Sequence, residues 1–352
     1  MSISTSAPSM RTTTPAMAVW NNREKIAASR SRLQALYEAV DWANDLDLYQ
    51  WTQWFAIALE FQPDLIVELG RGMGNSTCVF TEAANQLGDC RVVSLCLSPD
   101  WDATVKHRVA QVVPDSWFQK LETRTEEILT TDVQALIGDS QRVLVLWDAH
   151  GFDMAEFVLG GLLPTLEHRH SFVVMHDISD GRYSRINPSY QGKRLWRGTR
   201  EGFNREGHSR LYLNYLDTAV EQTIAIVDFI SRNGLTLESA DHSLQTELSS
   251  ERISELQNSL EAKFFRLDGH WFYFSLNEKT KGEEIYFPNF QSEIVIQERQ
   301  ARSHVDNDHA QVEQLQGEVN HLKTLLAQAQ ADTGMANLLK KAWRKYKAFR
   351  SR

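Results

Sequence analysis

Cysteine is scarce in this chain of 352 residues. Cys78, Cys90 and Cys96 form no CxxC pair and no Cys/His ligand spacing, which excludes a disulfide framework and a zinc cage and fits a reducing cytoplasm. Long apolar runs are also missing. No stretch approaches the roughly 18 apolar residues of a membrane-spanning helix, and the N-terminus lacks the apolar core of a signal peptide. Residues 1–22, rich in Ser and Thr, read as a disordered tail. Basic charge is short by nine, and the deficit is uneven. Residues 333–352 carry seven Lys or Arg and no acid, leaving −16 for residues 1–332, a balance that argues against a nucleic-acid partner.

What is present is an apolar fraction of 42%, enough for a large core. From Arg23 to about Gln62, apolar residues recur at helical spacing and predict two helices ahead of the first strand. Compact apolar runs follow at 65–69, 91–97, 143–147 and 172–176, separated by helical segments near 76–87, 125–137 and 153–167. This alternation predicts an α/β fold with a doubly wound, mostly parallel sheet buried on both faces. Residues 177–262 read as a cap or insertion, with a helix over 217–234 ending in Asn-Gly. In KFFRLDGHWFYFSL (263–276), Asp268-Gly269 separates two aromatic runs and predicts a C-terminal antiparallel hairpin. The folded body is placed at 23–287. Past it, Val305, Val312, Leu315, Val319, Leu322, Leu326 and Ala329 keep heptad spacing, so 288–332 reads as a coiled coil that joins copies of the chain. Residues 333–352 form a basic amphipathic tail suited to peripheral contact with the inner membrane face.

The stretch LIVELGRGMGNST (65–77) carries the chemistry. A phosphate-binding P-loop requires Gly-Lys-Ser/Thr where Met73-Gly74-Asn75 stands, and a dinucleotide fingerprint requires a glycine at 75. The spacing found, E-x-G-x-G-x-G from Glu68 to Gly74, resembles motif I of class I S-adenosylmethionine (SAM)-dependent methyltransferases. The resemblance implies SAM as cofactor, held by Glu68, Gly70, Gly72, Gly74, Asn75 and Ser76, with the acid handling the ammonium group. In that superfamily the second strand ends in an acid for the ribose hydroxyls. Cys96 stands there instead, and Asp100 or Asp102 would have to reach back.

Two further pairs, Asp148 with His150 and His176 with Asp177, follow the third and fourth apolar runs and should converge with the glycine loop beyond the strand ends. This resembles the metal-assisted branch that includes sugar and macrocin-type O-methyltransferases and cephalosporin hydroxylase-like proteins. The resemblance implies Asp148, His176 and Asp177 on a divalent cation (Mg, Mn or Fe), His150 as general base, and a hydroxylated small molecule or glycan as methyl acceptor. His176 replaces the first acid of that branch's acidic pair. Oxidative chemistry of the hydroxylase-like kind, or a degenerate fold used as a binding scaffold, is the alternative. A structural alternative also stands: Asp148 caps the helix that begins near Asp153, and His176 and Asp177 make loop hydrogen bonds.

Overall fold

A computed structural model describes residues 13–42, 46–176, 222–278 and 283–289, with single positions and short pieces between 334 and 344. The chain divides into two units, Met1–Phe290 and Gln291–Arg352. The second is described at 334, 337, 338 and 340–344, which are helical and exposed. The expected heptads and residues 177–221 of the cap, Asp177 among them, lie outside the described residues. Among the described residues no helix is long and apolar enough to cross a membrane.

The first unit opens with three helices, α1 (Pro15–Asn21), α2 (Arg23–Val40) and α3 (Leu48–Phe61). The sequence reading foresaw the latter two. It assigned α1 to a disordered tail, but Thr14 caps this short helix and its Ala16, Ala18 and Val19 are buried. Every residue of α3 except Glu60 is buried, the polar Gln50, Thr52 and Gln53 included.

Among the described residues seven strands form one sheet in the order β3-β2-β1-β4-β5-β7-β6. They are β1 (Leu65–Leu69), β2 (Arg91–Cys96), β3 (Leu121–Thr125), β4 (Arg142–Trp147), β5 (His170–His176), β6 (Glu238–Ser239) and β7 (Trp271–Phe274). The first five are parallel, while β7 is antiparallel to both β5 and β6. Alternate residues face opposite layers. Ile66, Val92, Leu144 and Val174 pack toward the α1–α3 side, joined by α4 (Asn75–Leu87). The short helices α5 (Lys106–Val109) and α6 (Val133–Ile137) follow β2 and β3, and Val67, Val93, Val145 and Val173 pack toward α7 (Phe152–Phe157) and the helix at 222–232. Because both faces are covered, β1, β2, β4 and β5 read as compact, mostly apolar runs. The helix expected over 153–167 divides into α7, a π-helical turn at Val158–Leu162 and a 3₁₀ turn at Leu163–Leu166. Gly160, Gly161 and Pro164 lie there and weaken regular α-helical bonding.

The hairpin is corrected. Residues 263–267 form no strand, and β7 pairs instead with β6, which lies ahead of two intervening helices. The Asp268-Gly269 signal is overridden by tertiary bonds. Gln50 of α3 donates to the Gly269 carbonyl (2.8 Å), Gln53 donates to that of Asp268 (3.0 Å), and the Asp241 carboxylate accepts from the amides of Gly269 and His270. The positive φ that a tight turn requires falls on His270, at +61°.

Candidate functional site

On either side of β1 the chain departs in opposite directions, toward β2 and toward β4. Such a reversal opens a crevice beyond the carboxyl ends of the strands. The β1–α4 loop enters it. Gly70, Gly72 and Gly74 all adopt positive φ (+97°, +50° and +94°), each for its own reason. A Cβ on Gly70 would stand 2.7 Å from the Asp148 carbonyl oxygen, and one on Gly74 would stand 2.4 Å from the Trp101 ring. A Cβ on Gly72 would meet nothing within 4 Å, because this glycine faces open space.

That space is a cleft of about 950 Å³. Its walls are Gly70, Gly72 and Met73 of the glycine loop, Cys96 to Ser98 and Asp100 after β2, Glu127 to Leu129 after β3, and Asp148 to Gly151 after β4. Trp42, Asp153 and Met154 complete it. Leu97 and Trp42 expose 63% and 45% of their surface, so the cleft offers apolar area to a ligand.

The expected site residues divide into those that reach this cleft and those that support it. Gly70, Gly72, Asp100, Asp148 and His150 line it. Glu68 does not. Its carboxylate is fully buried beneath the loop, where it accepts hydrogen bonds from the hydroxyls of Ser76 and Thr77 (2.6 Å for Thr77). Burial pushes its pKa up, against the opposing bonds of Ser76, Ser94 and Thr77 and the charge of Arg71. Glu68 ties the end of β1 to the first turn of α4. Asn75 and Ser76 are likewise buried, Asn75 donating to the Trp42 carbonyl (3.1 Å). Asp102 pairs with Lys106 on an exposed turn (3.5 Å) and is not part of the wall. Asp100 is, and its carboxylate accepts from the Ser98 hydroxyl (2.6 Å).

Asp148 begins the β4–α7 loop, its amide donating to the Leu69 carbonyl (2.9 Å). The residue at the N-cap of α7 is Gly151, so Asp148 does not cap that helix. One Asp148 carboxylate oxygen lies 3.1 Å from Nδ1 of His176, which is 5% exposed and stands edge-on to Trp54 (5.6 Å between ring centroids). The carboxylate is therefore presented to the cleft with a buried imidazole behind it. His150 is exposed on the same loop. Among the described residues no group of three His, Cys, Asp or Glu side chains is placed to hold a metal ion. Asp148 and His176 bond each other, and Asp177, the third residue that the sequence resemblance implies on the cation, lies outside the described residues.

Sequence reasoning missed Arg71. Buried between two loop glycines, it donates to the Ser94 carbonyl (2.8 Å) and hydroxyl (3.1 Å) of β2 and reaches Thr125 Oγ1 of β3 (3.5 Å). Two neighbouring parallel strands are thereby tied to the loop that follows β1. A large polar residue within a glycine-rich turn was the available signal.

No family model matches the chain, and no curated protein matches it. Solved structures resemble it at low identity. One is the methyltransferase PaMTH1 of Podospora anserina with S-adenosylhomocysteine (SAH) bound, 16% identical, aligned over 62% of this chain and 91% of that one with a TM-score of 0.39. Another is the O-methyltransferase TomG of Streptomyces achromogenes, involved in tomaymycin synthesis and in complex with SAM, 15% identical over 59% and 80% with a TM-score of 0.36. At these values the likeness carries no weight for activity, for which the loop, the sheet order and the cleft are the grounds.

Proposed function

We propose that the chain binds SAM in the cleft beyond β1 and β4 and methylates a hydroxyl group of a small molecule or glycan. The observation that carries this reading is the glycine loop at the sheet's reversal point, with Gly72 open to a cleft whose opposite wall presents Asp148 and His150. The residues present fit the cofactor. Gly70 and Gly72 let backbone approach its methionine portion, and Leu97 and Ile128 offer apolar surface to its adenine. Asp100 and Glu127 supply carboxylate acceptors for the ribose hydroxyls that Cys96 cannot serve.

Bound SAM supplies an electrophilic methyl group on a sulfonium centre. The protein's share is to hold the acceptor oxygen in line and to remove its proton. Asp148, its carboxylate fixed through His176, accepts a hydrogen bond from a neighbouring hydroxyl of the acceptor and so orients the reacting one. His150, exposed on the same loop, takes the proton.

Methyl transfer from labelled SAM to a panel of sugar nucleotides, glycans and hydroxylated small molecules tests the reading. Asp148→Asn and His150→Ala should each lower kcat by about 10²–10⁴-fold with SAH binding retained. Intact turnover in both variants would refute the assignment. Cys96 favours a second reading, in which the fold has lost its cofactor and serves as a binding protein. That reading requires the native chain to give no heat with SAH.

A further inference from the structure

We propose that Gln222 is a positioning residue whose side-chain amide fixes the loop carrying Asp148 and His150. The inference deepens the methyl-transfer reading and rests on it. The Asp148 amide, first in the β4–α7 loop, is held by the sheet through its bond to Leu69. Beyond it the backbone turns away and passes through Gly151, whose φ of +119° is one that L side chains rarely adopt. A single primary amide, 71 positions further along the chain, engages this backbone on both sides of His150. Gln222 Oε1 accepts from the Gly151 amide (2.8 Å), and Gln222 Nε2 donates to the Ala149 carbonyl (3.4 Å). The Trp147 indole donates to that same carbonyl (2.9 Å).

Gln222 is 4% exposed and Gly151 is buried, so water does not compete for these bonds. A carboxamide carries both a donor and an acceptor, as a peptide group does, and so can stand in for the missing neighbouring strand. Glutamate retains the acceptor and methionine retains neither. The side chain of His150 is thus mounted between two backbone groups held from behind, while it remains exposed to the cleft. A proton acceptor needs this restraint, since catalytic groups act only from a narrow range of positions.

The test uses the full chain and SAH as the probe. In Gln222→Met, the Gly151 amide should exchange with solvent at least about tenfold faster than in the native protein. The His150 ring resonance should broaden or split. Exchange at Gly70, whose amide donates to the Leu95 carbonyl (3.0 Å), should not change, and SAH affinity should stay within about threefold. Gln222→Glu, which keeps the acceptor for Gly151, should fall between the two and also serves if the methionine variant fails to fold. Unaltered Gly151 exchange and an unaltered His150 signal in either variant would overturn the inference, as would acceleration spread evenly over the chain. Absence of SAH binding by the native protein would instead strike the methyl-transfer reading, leaving the clamp to be judged by exchange alone.

Discussion

Replacing Gly70 or Gly72 with alanine adds the same methyl group two residues apart, with opposite consequences. At Gly70 the new carbon stands 2.7 Å from the Asp148 carbonyl oxygen and 2.9 Å from the Ala149 nitrogen, backbone atoms that no rotamer change can move. The φ of +97° adds strain for any L side chain. Overlap and strain together should cost about 2–4 kcal/mol. For a folded unit of this size that lowers Tm by about 5–15 °C. At Gly72 the φ of +50° lies in the left-handed region that L residues enter for about 1 kcal/mol, and nothing stands within 4 Å of the methyl. Stability should barely change. Since Gly72 lines the cleft, its methyl occupies ligand space and should weaken SAH binding about tenfold or more. Calorimetric unfolding and SAH titration measure the two effects separately. If Gly72→Ala is as destabilised as Gly70→Ala, or binds SAH as tightly as the native chain, the placement of ligand against the glycine loop is wrong.

Glu68→Gln tests the buried carboxylate. With its folded pKa raised from 4.5 by burial, the stability this group contributes is fully present below that value and is lost as pH rises through the folded one. Urea unfolding from about pH 5 to 8 should therefore show a less steep decline in the glutamine variant, and parallel curves would refute the assignment. The heptad run is proposed to join two or three chains, so light scattering on a protein ending at Phe287 should report a smaller particle; an unchanged oligomer number rejects the idea. The basic tail is proposed to bind anionic bilayers, and flotation with phosphatidylglycerol vesicles at low salt should lose the protein once residues 338–352 are removed. Equal flotation of both forms would contradict this.

Much of the sheet was legible because four parallel strands, covered on both faces, appear as compact, mostly apolar runs rich in Val and Leu. β3 was not. LETRT lies at the edge, only partly buried, and carries Glu122 and Arg124 on a surface facing water. With β3 went the wall that follows it, Glu127 to Leu129. The false hairpin shows local turn preference giving way to long-range bonds, since Gln50, Gln53 and Asp241 determine how Asp268-Gly269 runs. The rule that sites gather beyond strand ends located Asp148 and His150 correctly beside the glycine loop. It did not distinguish residues facing the cleft from those beneath it, where the Glu68 carboxylate accepts from Ser76 and Thr77. Gln222 left no trace in the sequence pattern, because its partners come from a loop far away along the chain.

The central claim, that the glycine loop opens on a SAM site, is tested most directly by isothermal titration of the native full-length protein with SAH. The account predicts saturable heat, one site per chain and a Kd below about 100 μM, with no comparable heat from NAD. A folded sample that gives no heat at high micromolar SAH, or that binds NAD equally well, would contradict it.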